Sequence, residues 1–169
     1  MKQHKQSEIE LTEAEIDNLF SEYDLECKKQ QLALLGISGR KIGLVLDAGC
    51  GPGAFSMLLA QDGNTVIGLD LSALAIEKVK QMAEAQNLPI TPEVGDLESM
   101  RFDSDSFDLC FCGNILHHFR SLDPVITELT RVLKPGGFFA CVENNGSNPL
   151  VRFSRLTGRL LGSVWPLLR

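Results

Sequence analysis

The stretch LVLDAGCGPGAF, residues 44–55, constrains this chain more than any other. Leu44, Val45 and Leu46, suited to a buried strand, lead into Asp47, and Gly49, Gly51 and Gly53 follow at alternate positions. Glycine lets a backbone take φ > 0 and approach a ligand with no Cβ in the way. After Gly53, Phe55, Met57, Leu58 and Leu59 follow a helical pattern, so the loop opens on a helix N-terminus, which favours an anionic group. Strand, glycine turn and helix in this order make a loop for a nucleotide-like ligand. Gly49-x-Gly51-x-x-Ala54 also satisfies the dinucleotide pattern G-x-G-x-x-G/A, so the loop alone leaves the ligand open.

The rest of the chain repeats the strand-and-helix alternation. Residues 8–36 read as one or two helices, with Thr12 and Glu15 spaced as a capping box, Ile16, Leu19, Phe20 and Tyr23 at helical spacing, and Gly36 as a stop. Strand one runs from Ile42 to Asp47 and its helix to about Gln61. TVIGLDLS then supplies a second strand ending at Asp70, with Ser72 as N-cap of a helix that buries Ala75, Ile76, Val79, Met82 and Ala83 and ends near Asn87. Strand three, Ile90 to Gly95, carries Pro92 and so belongs at a sheet edge. The crossover LESMRFDSDS is polar and too short for a packed helix. Strand four, Phe107 to Cys112, delivers Gly113, Asn114, Leu116, His117 and His118. Asp123 caps the next helix, Val125, Ile126, Leu129, Val132 and Leu133 form its buried stripe, Lys134-Pro135-Gly136-Gly137 stops it, and strand five runs from Phe138 to Glu143. Five strands joined by helices or crossovers predict an α/β fold, a doubly wound, mostly parallel Rossmann-like sheet. One compact domain is expected, with a helical cover over 1–40, a ligand-binding core over 41–145 and a C-terminal segment over 146–169.

Bulk properties narrow the function. With 169 residues and a net charge of -6, the chain lacks the clustered cations that a nucleic-acid surface needs. Its charged start, MKQHKQSEIE, has no apolar signal-like core, and no long apolar run follows, so a cytoplasmic protein is expected. Cys27, Cys50, Cys110, Cys112 and Cys141 lack C-x-x-C pairing and fall mostly in apolar runs, which reads as buried free thiols and predicts no metal site.

In such sheets the ligand lies beyond the carboxyl ends of the strands, so Asp47, Asp70, Asp96 and Asn114 should converge on one crevice. Asp70, 23 residues after Asp47, is spaced to reach a ribose held over the first loop. Its charge opposes a 2′-phosphate. Asp47 in turn opposes a diphosphate and suits a cationic ligand such as the amino-acid and sulfonium part of S-adenosylmethionine. At this point VLDAGCGPGAFS, VIGLDLS, GDLESMRFDSDSFDLCFCGNILHHF and RVLKPGGFFACVE, in this order, closely resemble the class I S-adenosylmethionine-dependent methyltransferases. The resemblance is especially to the small-molecule branch, similar to ubiquinone/menaquinone-biosynthesis methyltransferases.

The resemblance implies roles residue by residue. Gly49, Cys50 and Gly51, in the loop that Gly53 closes, would offer backbone to the methionine end, and Asp47 would anchor it directly or through water. Asp70 would hold the ribose hydroxyls and Leu71 would flank the adenine. Asp96 would face the adenine amino group, the Leu97 backbone would read the ring edge, and Asn114 would meet the ammonium. His117 and His118 are candidate general bases, or one of them lines the pocket. The expected reaction is methyl transfer from S-adenosylmethionine to a small-molecule acceptor, with S-adenosylhomocysteine as product, largely by alignment and exclusion of water. A non-catalytic S-adenosylmethionine-binding module or partner subunit is the alternative, and a nicotinamide-dependent oxidoreductase the remote one. After Glu143 only NNGSNPLVRFSRLTGRLLGSVWPLLR remains, short of the family's usual final strand pair. It holds Arg152, Arg155, Arg159 and Arg169 and no acid, so residues 150–169 read as a basic amphipathic helix covering the sheet, or meeting a membrane surface or a second copy.

Overall fold

The structure, a computed structural model, describes residues 22–143. In chain order these are α1 (Glu22–Leu34), β1 (Leu44–Ala48), α2 (Ala54–Gln61), β2 (Thr65–Asp70), α3 (Ala73–Gln86), β3 (Ile90–Val94), β4 (Phe107–Gly113), a 3-10 turn (Leu116–His118), α4 (Asp123–Val132) and β5 (Leu133–Val142). The strands form one sheet in the order β3-β2-β1-β4-β5, with every neighbouring pair parallel. This is the doubly wound Rossmann-like α/β arrangement expected from the strand and helix alternation.

Side chains alternate across each strand, so both faces of the sheet need a cover. Val45, Val66, Leu109 and Phe111 point to the face closed by α1, α2 and α3 through Leu32, Leu59 and Val79. Leu46, Leu69, Cys110 and Cys112 point to the other face, which α4 closes with Val125, Leu129 and Val132 and the crossover closes with Leu97 and Met100. Helix ends follow local chemistry. Ser72 Oγ accepts from the Ala75 amide at 3.2 Å, and Asn87 ends α3 at φ 50°. Pro92 lies on β3, whose sole strand neighbour among the described residues is β2, so its missing N–H breaks no interior ladder there. The crossover after β3 has no helix. Arg131 holds it instead, donating to the Phe102 and Met100 carbonyls at 2.7 and 3.1 Å, while Glu128 Oε2 accepts from the Met100 amide at 2.8 Å.

Several boundaries differ from the sequence reading. β1 begins at Leu44, because the amides of Ile42 and Gly43 donate to Asn64 Oδ1 rather than to a strand. β5 begins at Leu133, before the expected stop. Phe107 pairs with Leu133 and Leu109 with Phe138, so Lys134–Gly137 bulge out of the ladder, aided by Gly136 at φ 82° and by Lys134 Nζ reaching Asp108 Oδ1 at 2.8 Å. Asp123 is the first residue of α4 rather than its cap, and Ile126 is 40% exposed, so the buried stripe is Val125, Leu129 and Val132. The capping box expected at Thr12 and Glu15, the side chains of the amphipathic run up to Tyr23, and the expectations for the segment after Glu143, a lacking final strand pair and a basic helix over 150–169, lie outside the described residues.

Candidate functional site

The chain leaves β1 for β2 and β3 on one side, then returns to β4 on the other, so the sheet has its switch point at the carboxyl ends of β1 and β4. The glycine loop and the segment Asn114–His118 meet there. Gly49, Gly51 and Gly53 have φ of 75°, 52° and 93°, a backbone that side chains other than glycine rarely adopt. A Cβ at Gly49 would lie 2.4 Å from Ile115 Cγ1, so the two loops touch through this position. At Gly51 a Cβ would meet nothing within 4 Å, which leaves open space over the loop.

The loop amides are largely spent. The Gly49 and Cys50 amides donate to the Leu69 carbonyl at 2.8 and 3.1 Å. The Gly51 amide donates to Asp70 Oδ2 at 2.8 Å, and Asp70 Oδ1 accepts from the Ser72 amide at 2.9 Å. Asp70 thus ties the glycine loop to the turn that starts α3. A diphosphate needs N–H donors, and these three are already committed.

Asp47 is 1% exposed at the end of β1. Its Oδ2 accepts from Ser56 Oγ at 2.6 Å in the first turn of α2, a side-chain tie that Gly53, as N-cap, cannot supply. Its Oδ1 is buried with no hydrogen-bond partner among the described residues. Burial pushes its pKa from 3.8 to about 7, the Ser56 hydrogen bond opposes that rise, and the charge of Asp70 adds to it. Without a cation beside it, Asp47 is therefore only partly ionised near neutrality, which tempers the charge argument drawn from the sequence. Ser56 itself escaped the sequence reading, although its place as the third residue of the helix was legible.

Asn114 stands at φ 58° directly after β4, its amide held by the Val142 carbonyl at 2.7 Å. Its Oδ1 is also buried and unpartnered among the described residues. Two orphaned acceptors at one strand-end cluster fit a ligand that donates hydrogen bonds, such as an ammonium, and do not fit an anion. Leu71, 42% exposed, offers an apolar surface beside Asp70. Asp96 forms a local turn, its Oδ1 accepting from the Glu98 amide at 2.9 Å, while the Leu97 side chain is buried in the core and leaves only its backbone for a ligand. All ten positions expected to hold the cofactor thus fall at the carboxyl edge of the sheet, with Gly53 turned against Val79 of α3 rather than toward the open space over Gly51.

The histidines belong to the same edge. Glu143, which follows β5, accepts from the Leu116 amide through Oε1 at 2.7 Å, and its Oε2 lies 2.8 Å from His117 Nδ1. His118 stacks on His117 with ring centroids 4.2 Å apart, and partial burial followed by the neighbouring His117 lowers its pKa. Glu143 was not recognised as a site residue from sequence, because its partners lie 26 and 27 positions away. Cys50, Cys110 and Cys112 are buried with their thiols pushed up, Cys110 to about 12, whereas Cys27 is half-buried and Cys141 exposed. Among the described residues no group of three or more His, Cys, Asp or Glu could hold a metal ion, and no helix is long and apolar enough to cross a membrane.

Comparison with known proteins agrees with this geometry. The family described as "Methyltransferase domain" matches residues 46–141. The chain is 34% identical over 130 residues to a ubiquinone biosynthesis O-methyltransferase of Coxiella burnetii, covering 76% of this chain and 53% of the relative. It is 42% identical over 93 residues to a malonyl-[acyl-carrier protein] O-methyltransferase of Erwinia billingiae, covering 55% of this chain and 36% of the relative. Among solved structures, the PH0226 protein from Pyrococcus horikoshii OT3 superposes with a TM-score of 0.71 at 30% identity, covering 84% of this chain and 65% of that one. The chain spans about half the length, or less, of these two curated relatives. The family match spans more than half of the sequence and includes the glycine loop, Asp70, Asp96 and Asn114; the chain belongs to the methyltransferase domain family, that of the class I S-adenosylmethionine-dependent methyltransferases.

Proposed function

We propose that the chain binds S-adenosylmethionine in the crevice between β1 and β4 and transfers its methyl group to an oxygen of a small-molecule acceptor. The observation that carries this reading is the pair of buried acceptors with no partner among the described residues, Asp47 Oδ1 and Asn114 Oδ1, beside a glycine loop whose Gly49, Cys50 and Gly51 amides are spent. Such a site has acceptors for an ammonium and few donors for a phosphate, which also removes the support for a nicotinamide cofactor. The oxygen acceptor is supported by the two relatives named as O-methyltransferases.

When bound, S-adenosylmethionine supplies a methyl carbon on a sulfonium sulfur, already a good leaving group. The residues of the chain hold and orient. Asp47 and Asn114 receive the ammonium, and each charged hydrogen bond contributes about 1.5–3 kcal/mol. Asp70 keeps spare lone pairs on both oxygens for ribose hydroxyls, Leu71 flanks the base, and Asp96 with the Leu97 backbone meets the adenine edge. Alignment of donor and acceptor and exclusion of water carry most of the rate. Because the chain spans about half of its curated relatives, a binding module that works with further protein is the second reading.

Calorimetry with S-adenosylhomocysteine tests the site. Asp70→Ala should weaken binding more than tenfold, about 1.4 kcal/mol or more. Unchanged affinity would remove Asp70 from the site. Binding without turnover across a broad acceptor panel would favour the module.

A further inference from the structure

The geometry points to His117 as a general base held by Glu143, and to an acceptor that is a hydroxyl whose proton must leave, rather than a carboxylate. This inference rests on the methyltransferase reading and adds to it the acceptor class and the residues that serve it.

Glu143 makes two bonds with different consequences. Its Oε1 accepts the Leu116 amide at 2.7 Å, which fixes the carboxylate against the 3-10 turn. Its Oε2 lies 2.8 Å from His117 Nδ1. An ionised carboxylate only accepts, so a neutral His117 facing it carries its proton on Nδ1 and presents Nε2 as a lone pair. The imidazole is 43% exposed, so it is not a packed core histidine. An exposed ion pair contributes little to stability, and fastening the 3-10 turn needs only Oε1. The second bond sets the tautomer.

Position supports the same role. His117 lies three residues after Asn114, on the segment that touches the glycine loop through Ile115. His118 stacks on it at 4.2 Å and feels the charges of Glu143 and Asp70, which brings the imidazole pair within electrostatic reach of the acid at the ribose side. In the proposed step the acceptor O–H proton passes to His117 Nε2, the acceptor oxygen forms a bond to the methyl carbon, and the carbon–sulfur bond breaks with its electron pair going to sulfur. The imidazolium is stabilised by Glu143 and later loses its proton to water. A carboxylate acceptor, already ionised near neutrality, would gain nothing from such a base. Glu143 is a positioning residue in this scheme, and His117 the catalytic one.

Glu143→Gln separates the two roles of the glutamate. The amide oxygen can still accept from Leu116, while the amide nitrogen donates to Nδ1 and so moves the imidazole proton to Nε2. Long-range proton–nitrogen spectra of the 169-residue chain without ligand, at pH 8, should show the Nδ1–H form of His117 in the parent and the Nε2–H form in the variant. An unchanged tautomer would overturn the assignment of Glu143. With a catechol as acceptor probe, Glu143→Gln and His117→Gln should each lower kcat about 100-fold or more, with KM for the catechol changed much less. Equal turnover in His117→Gln, or methylation of a simple carboxylic acid and not of the catechol by the parent, would overturn the base or the acceptor class. S-adenosylhomocysteine should bind parent and both variants within about threefold by calorimetry, a difference of about 0.7 kcal/mol. Loss of binding in the parent would instead overturn the methyltransferase reading.

Discussion

Replacing Asp47 by Asn should stabilise the ligand-free chain, and by an amount that grows with pH. The folded carboxyl holds its proton to about pH 7 against 3.8 ordinarily, mainly because it is buried. A raised carboxyl favours the folded state at low pH, and that contribution is lost as pH rises from about 4 through 7, after which it is constant. The full shift corresponds to about 4 kcal/mol, as an order of magnitude. Between pH 5 and pH 8 the part that changes is about 2–3 kcal/mol. Asn cannot ionise, and its Oδ1 can still accept from Ser56 Oγ, so α2 keeps its anchor while the slope disappears. Urea denaturation followed by circular dichroism at both pH values, with m unchanged, measures the gap between variant and parent. Other titrating groups cancel in that gap. They include His118, whose lowered pKa works in the opposite sense, and Glu128, whose lowered pKa acts below its ordinary range. The gap should widen by about 2–3 kcal/mol from pH 5 to pH 8. A constant gap would mean that Asp47 is not the buried, destabilising acid described here. The same variant should bind S-adenosylhomocysteine more weakly, which would make Asp47 a group kept for the ligand at the expense of the fold.

Other consequences are accessible with simpler experiments. Gly49→Ala must place a Cβ 2.4 Å from Ile115 Cγ1 at φ 75°, so it should cost about 1–3 kcal/mol and abolish tight cofactor binding. Adding Ile115→Ala should recover part of the stability but not the strain of the backbone, as thermal denaturation of the double variant would show. Arg131→Ala removes the donors to the Phe102 and Met100 carbonyls, and hydrogen exchange of the Met100 amide should accelerate about tenfold or more while the β1 and β4 amides stay protected. A thiol reagent at pH 8 should label Cys141 well before Cys50, Cys110 and Cys112, because those three are buried with raised thiols. Early labelling of Cys50 would show that the glycine loop opens in solution.

How far the sequence carried depended on the range of the interaction involved. The glycine loop, the capping of α3 by Ser72, the helix-free crossover and the edge position of the strand with Pro92 follow from residues near one another, and all were legible. The start of β5 was not, because Lys134–Gly137 read as a helix stop, while in the sheet they bulge from a ladder fixed by Phe107 and Leu109 on another strand. Asp123 misled in the same way: its type suits a cap, but the chain begins its helical turn one residue earlier than a capping Asp would require. At the site, the placement of Asp47, Asp70, Asp96 and Asn114 at strand ends came from periodicity alone. Their states did not. Ser56 beneath Asp47, Ile115 against Gly49 and Glu143 behind His117 are contacts made by folding, and they decide which atoms are spent and which are left for a ligand.

The central claim is that Asp47 and Asn114 are left as acceptors for an ammonium group. Calorimetric titration of the 169-residue chain at pH 7.5 with S-adenosylhomocysteine, and with the analogue lacking its α-amino group, measures that contribution directly. The deamino analogue should bind roughly 150-fold more weakly or worse, the equivalent of two charged hydrogen bonds at about 1.5–3 kcal/mol each. Equal affinity for the two ligands, or tighter binding of NADH than of either, would contradict it.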